Sequence, residues 1–190
     1  MAALFAGGTQ NLMIDFSRNY FDLFQLPQRF GCDPISLENA YRRLQTEVHP
    51  DRFASGSEQE KRLALQSSAR VNEAYRALKD PVSRAQYLLS LNGIDALSET
   101  DTQLPLEFLE RQLDRRETAA EAADKKDSQG IANVAAKVRD EADDLVHALV
   151  DELDREHAYS NARMRVRELK FLSKLADDLD AMRGALDDQG

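Results

Sequence analysis

YRRLQTEVHPDRF, residues 41–53, runs as a helix and then stops abruptly. Upstream, SLENAYRRLQTEV places Leu37, Tyr41, Leu44 and Val48 at i, i+4, i+7 and i+11, one face of a helix. Ser36 is its expected N-cap. Pro50 ends the run, because proline donates no backbone hydrogen bond and restricts the residue before it. Helix resumes at Ser57, where Glu60, three residues on, completes a capping-box pattern. Val71, Ala74, Tyr75 and Leu78 then share one face. Two long helices joined by a short polar loop, with His49, Pro50 and Asp51 in the loop, is the reading that follows.

Working outward, YFDLFQLP (20–27) reads as a short apolar helix stopped by Pro27, and DPVSRAQYLLS (80–90) as a last short helix. Turn residues in LNGIDALSETD (91–101) close this first unit. Residues 19–92 are expected to form one domain, residues 93–103 a linker and residues 104–190 a second domain. Residues 1–18 read as an N-terminal extension, disordered in one reading, with no role assigned. In the second domain Pro105 is expected to open a helix over 105–123. After DKKDSQG (124–130) comes a second helix with the stripe Ile131, Val134, Val138, Leu145, Leu149 and Leu153. A third runs from about Tyr159 to Met182. Short connections make the three antiparallel neighbours. The expected fold is all-α: a helical hairpin with a polar tip, followed by a three-helix bundle.

Composition narrows the function. The 190 residues are 42% apolar and 31% charged, with a net charge of −9. That charge is uneven: residues 1–92 carry 11 Lys/Arg against 10 Asp/Glu, and residues 93–190 carry 14 against 24. An acidic second half argues against nucleic acid, which is bound through cations on phosphates. No apolar run approaches the roughly 20 residues that span a bilayer, so no membrane role is expected. The N-terminal stretch lacks the basic start of a secretory signal. A single cysteine, Cys32, leaves no internal disulfide and fits a reducing compartment; the expectation is cytoplasmic.

His49 and Asp51 invite a catalytic or metal reading, but a histidine of that kind needs a nucleophile or a metal to act on. The sequence has no G-x-S-x-G elbow, Gly-rich phosphate loop or CxxC. His147 and His157 are ten residues apart rather than four, off the spacing that puts two ligands on one helical face. No metal, cofactor or catalytic residue is therefore assigned. A plain turn in which Asp51 serves the backbone is the simplest alternative. Arg42 and Arg43, turned away from the apolar stripe, favour a third reading: a rigid recognition tip for an acidic partner surface.

At this point a resemblance is specific. YRRLQTEVHPDRF and NEAYRALKDPVSRAQYLL (72–89) are similar to a J-domain, the module that activates DnaK-type ATPases through an HPD tip. FDLFQLP (21–27), HPDRFASGS (49–57), RAQYLLSLNGID (84–95) and RELKFLSKL (167–175) together resemble the HscB family, the J-domain co-chaperones of iron–sulfur cluster assembly. The likeness runs from about Tyr20 to near the C-terminus. It implies that His49, Pro50 and Asp51, helped by Arg42 and Arg43, engage the chaperone HscA and stimulate its ATP hydrolysis. Thr46, Glu47, Val48 and Arg52 depart from common J-domains around the tip and bear on partner choice.

The resemblance also implies that the bundle holds the cluster scaffold IscU, at Leu109, Leu113, Asp114, Glu117 and Phe171. The residues give some support of their own. Met164, Phe171, Leu175 and Met182 fall on one line of the last helix, beside Val166, Leu169, Leu172 and Leu179. That apolar face is wider than a three-helix core needs, which suits an exposed edge, although ordinary core remains an alternative for each of these residues. Glu110 departs from the family patch, where an apolar residue can stand. Two rival functions stay open: a general J-domain adaptor for unfolded clients, and a metal-dependent hydrolase using His49 and Asp51.

Overall fold

The computed structural model describes residues 14–98 and 103–187, and among them it is helical without strands. The described residues divide into two compact units, with the boundary between Arg84 and Ala85. Residues 1–13, most of the expected extension, lie outside the described part; Asp15 to Arg18 form a turn in which Asp15 accepts from Ser17. The expected 93–103 linker is described except for residues 99–102.

In the first unit α1 (Tyr20–Phe24) is capped by Asn19, which accepts from the Asp22 amide, and Gln25 ends it in a left-handed conformation. Helix α2 (Pro34–Val48) starts earlier than expected. Its N-cap is Asp33, not Ser36: the Asp33 carboxylate accepts from the Ile35 and Ser36 amides and from the Ser36 hydroxyl. The reason is Pro34, whose fixed φ suits the first helical position and whose missing N–H costs nothing there. Helix α3 (Glu58–Lys79) begins at the expected capping box. The Ser57 amide donates to Glu60 at 2.7 Å and the Glu60 amide to the Ser57 hydroxyl at 3.3 Å.

Helices α2 and α3 pack antiparallel over Leu37, Ala40, Val48, Ala64, Val71, Ala74 and Leu78, with Phe21, Phe24 and Phe30 buried in the same unit. Tyr41 stacks on Tyr75 with ring centroids 4.0 Å apart, and the Tyr41 hydroxyl donates to Asn72. Tyr75 in turn donates to Glu38. These cross-helix contacts fix the register of the hairpin and hence where its tip sits. Helix α4 (Pro81–Leu91) follows.

The second unit contains α5 (Leu106–Asp124), α6 (Ser128–Asp154) and α7 (Tyr159–Asp187). Pro105 is the residue before α5 rather than its first, held extended and giving no side-chain cap. The whole expected α6 stripe is buried. On α7 the line Val166, Leu169, Leu172, Leu179 is buried and Leu175 joins it, whereas Phe171 is half-buried and Met182 exposed. A polar layer crosses the apolar core. Gln112 is buried, and Glu141 of α6 receives Arg111 and Arg115 of α5. On the other side Arg165 of α7 donates to the buried Glu152.

Candidate functional sites: a polar tip and an apolar helix face

The tip is a one-turn 3-10 helix, Pro50–Phe53, set between α2 and α3. Val48, the last residue of α2, is buried and anchors the turn. His49 is extended, and its carbonyl accepts from the Arg52 amide at 3.1 Å. Its Nδ1 accepts from the Asp51 amide at 3.3 Å, so the imidazole works as a cap for its own turn. Arg52 reaches back to the Thr46 carbonyl at 3.3 Å. The loop is therefore ordered by its own backbone and by α2, while its polar groups point out: the His49 side chain is 52% exposed and that of Asp51 is 90% exposed.

This geometry bears on the catalytic reading. The Asp51 carboxylate lies 3.6 Å from His49 Nδ1, beyond a proper hydrogen bond, and Nδ1 is already occupied by an amide. The shallow depression beside the ring is lined by Gln45, Thr46, His49 and Arg52, which offer no activated nucleophile. Among the described residues no group of three or more His, Cys, Asp and Glu is placed to hold a metal. Arg42 and Arg43 are exposed on α2, one turn and more before the tip. Arg42 is held by Glu38 at 2.8 Å. The Tyr75 hydroxyl and Arg42 hydrogen bonds hold the Glu38 carboxyl below its usual range.

The second site is a face of α5. At about 100° per residue, Phe108, Gln112, Ala119 and Ala122 turn inward and are buried. Leu106, Leu109 and Leu113 share the adjoining face and are 70%, 40% and 58% exposed. Glu110, Asp114 and Glu117, all exposed, follow on its outer edge. Phe171 of α7 comes up on the inner edge: its ring meets Phe108 edge-on at 5.6 Å, and the Arg116 guanidinium lies 5.6 Å from its centroid. Three solvent-facing leucines in a row on a charged bundle are the kind of apolar patch that marks a binding surface. Leu106 was not singled out from the sequence, although its i, i+3, i+7 spacing with Leu109 and Leu113 was visible there. Arg116 was missed because its role is a contact between helices.

The other candidates stay apart. Among the described residues neither His147 nor His157 belongs to a group of three or more side chains that could hold a metal; His157, left-handed at φ 53°, faces Tyr159. Burial pushes the Cys32 thiol up, away from the reactive range. No described helix is long and apolar enough to cross a membrane.

Comparison with known proteins matches both units. The DnaJ domain family model fits residues 19–87, and the model described as the HSCB C-terminal oligomerisation domain fits residues 104–180. The co-chaperone protein HscB homolog of Bordetella petrii is 42% identical over 88% of this chain and 97% of its own length. That of Burkholderia vietnamiensis is 40% identical over 89% and 96%. The chain belongs to the HscB co-chaperone family. Solved structures agree: chaperone HscB from Vibrio cholerae superposes with a TM-score of 0.79 at 34% identity, covering 89% of this chain and 99% of that one. Human co-chaperone protein HscB gives 0.81 at 27% identity, covering 88% and 83%. The family places a J-domain in the first unit, so the 49–53 turn is the HPD tip of a J-domain co-chaperone.

Proposed function

We propose that this HscB-family protein stimulates the ATPase of a DnaK-type chaperone, HscA, and presents to it the folded iron–sulfur scaffold IscU, in the cytoplasm, in support of cluster maturation and transfer. His49, Pro50 and Asp51 form the chaperone contact, with Arg42 and Arg43 adding positive charge beside it. Leu109, Leu113, Asp114, Glu117 and Phe171 form the scaffold contact, and Leu106 extends it. No proton moves at the tip. Docking biases the ATPase towards its hydrolysing, client-closed conformation by binding that conformation more tightly, which is the only way a ligand shifts such an equilibrium.

The observation that carries the reading is the tip itself: a turn ordered by the Asp51 N–H to His49 Nδ1 bond, with both side chains turned to solvent. A loop fixed before the partner arrives loses little entropy on docking. The narrow leucine face with an acidic rim supports a folded client over an unfolded one, since it offers three anchors rather than a broad groove. The test is the steady-state ATPase rate of an HscA-type chaperone with wild type or the His49→Gln variant. Stimulation by wild type and its loss in the variant support the reading; equal rates overturn it.

A further inference from the structure

Tyr75 of α3 reaches an arginine of α2 through a shared carboxylate. Its hydroxyl donates to Oε2 of Glu38, and Oε1 of the same group accepts from Nε of Arg42 at 2.8 Å. The tyrosine is itself held: its ring stacks on Tyr41 with centroids 4.0 Å apart, and the Lys79 ammonium lies 5.3 Å from its centroid. The Tyr41 hydroxyl donates to Asn72 and accepts from Gln45, both at 2.9 Å. Hydrogen bonds from Tyr75 and then Arg42, with the charge of Lys79 nearby, hold the Glu38 carboxyl below its usual range and so ionised at neutral pH.

As a stabilising device this arrangement is weak. An exposed i, i+4 ion pair adds little to a helix, and the Arg42 side chain is 73% exposed. What it supplies is orientation. Glu38 takes the Nε edge of the guanidinium, which leaves the outer edge, with the two terminal nitrogens, for a second carboxylate. Glu38 is the carboxylate that Arg42 meets among the described residues, and residues 1–13 contain no Asp or Glu. An arginine standing alone on a helix samples many rotamers and loses that freedom on docking; one tied to the neighbouring helix has given up much of it beforehand. Arg43, the next residue, lies about 100° round the helix and bonds to neither Glu38 nor Tyr75.

We infer that Glu38 and Tyr75 are positioning residues for the chaperone contact: they hold the outer edge of Arg42 ready for an Asp or Glu side chain of the ATPase, gripped by two parallel hydrogen bonds. The inference rests on the reading of Arg42 as part of that contact. Charge alone predicts the opposite sign. A carboxylate beside the contact repels an acidic partner surface, so by charge its removal tightens docking, and by position its removal weakens it. Glu38→Gln keeps the length of the side chain but offers one oxygen and one NH2 where the relay needs two acceptors. Tyr75→Phe removes the hydroxyl alone, with the ring and the net charge kept.

The test is the concentration of full-length protein that gives half-maximal ATPase stimulation of an HscA-type chaperone. Wild type is compared with Glu38→Gln, Tyr75→Phe, Arg42→Ala and Arg43→Ala, and with Tyr75→Phe combined with each arginine variant, thermal unfolding serving as the check on folding. The expected result is a rise of threefold or more in Glu38→Gln and in Tyr75→Phe. The tyrosine effect should vanish in the Arg42→Ala background and persist in the Arg43→Ala background, since only coupled residues depart from additivity. An unchanged value in Tyr75→Phe, or an unchanged or lower one in Glu38→Gln, would overturn the inference. A tyrosine effect equal in both arginine backgrounds would show a general disturbance of the hairpin and also overturn it. Loss with His49→Gln but none with Arg42→Ala would leave the tip standing and remove Arg42, and this inference with it.

Discussion

The Asp51 amide donates to Nδ1 of His49 at 3.3 Å, while the Asp51 carboxylate lies 3.6 Å from the same nitrogen and faces solvent. The aspartate thus orders the histidine through its backbone and leaves its carboxylate in solvent. His49→Gln removes the presented ring and with it the cap on the Asp51 amide, so stability should fall by about 1 kcal/mol. Interface anchors cost about 2 kcal/mol or more on truncation, about 30-fold in affinity. Chaperone titrations should therefore show a loss larger than the small shift of the melting curve accounts for.

Leu113 is 58% exposed and supports nothing in the core. Leu113→Ala should leave stability within about 0.5 kcal/mol yet weaken scaffold binding by about 1–2 kcal/mol. Isothermal titration against the folded scaffold reads this directly. Phe171→Ala is the less clean probe, because it also removes the ring contacts with Phe108 and Arg116.

The capping box at the head of α3 uses no residue of either proposed contact. Ser57→Ala removes the hydroxyl that accepts from the Glu60 amide and should cost about 1 kcal/mol of stability. Denaturant unfolding measures it, with the midpoint moving and the slope unchanged.

Two glutamates of the bundle respond to pH in opposite senses. Burial alone would push the Glu141 carboxyl up, but hydrogen bonds from Arg115 and Arg111, and their charges, outweigh it and hold the group below its usual range. A depressed carboxyl stabilises the fold above its unfolded-state pKa and loses that contribution as pH falls through the folded one. Glu168 is raised, by burial first and then by Glu141 and Glu152, against the pull of Arg165 and Arg111. Its ionisation costs the folded state, and the cost fades as pH falls through its raised pKa. Glu141→Gln should cost about 1–3 kcal/mol at neutral pH, leaving Arg115 short of its charged acceptor, and should weaken the acid dependence of stability. Glu168→Gln should stabilise at neutral pH. Melting curves at pH 7 and pH 4 separate the two.

How far the sequence foretold this structure depended on whether the signal was local. Pro50, the Ser57–Glu60 box and the α6 stripe were legible because each acts through neighbours in the chain. The α2 cap was missed by three residues because Asp33 and Pro34 together outcompete Ser36, whose hydroxyl donates to the Asp33 carboxylate instead. Of the α7 lines, periodicity could not say which faced water, since Leu175 and Met182 shared one line and parted in burial. The resemblance singled out Leu109 and Leu113; that they stand exposed beside the buried Phe108 needed the bundle assembled. The Glu141 layer depends on a contact across 30 positions, and no local pattern announces it.

The central claim is that tip and bundle do separate jobs, the tip engaging the chaperone and the bundle holding the scaffold. The most direct measurement is the ATPase rate of an HscA-type chaperone with wild type, His49→Gln and Leu113→Ala, each with and without folded scaffold. The account predicts that wild type stimulates and that scaffold adds to it. Leu113→Ala should keep the scaffold-independent part and lose the addition, and His49→Gln should lose both. Stimulation by His49→Gln equal to wild type, or a scaffold effect untouched by Leu113→Ala, would contradict it.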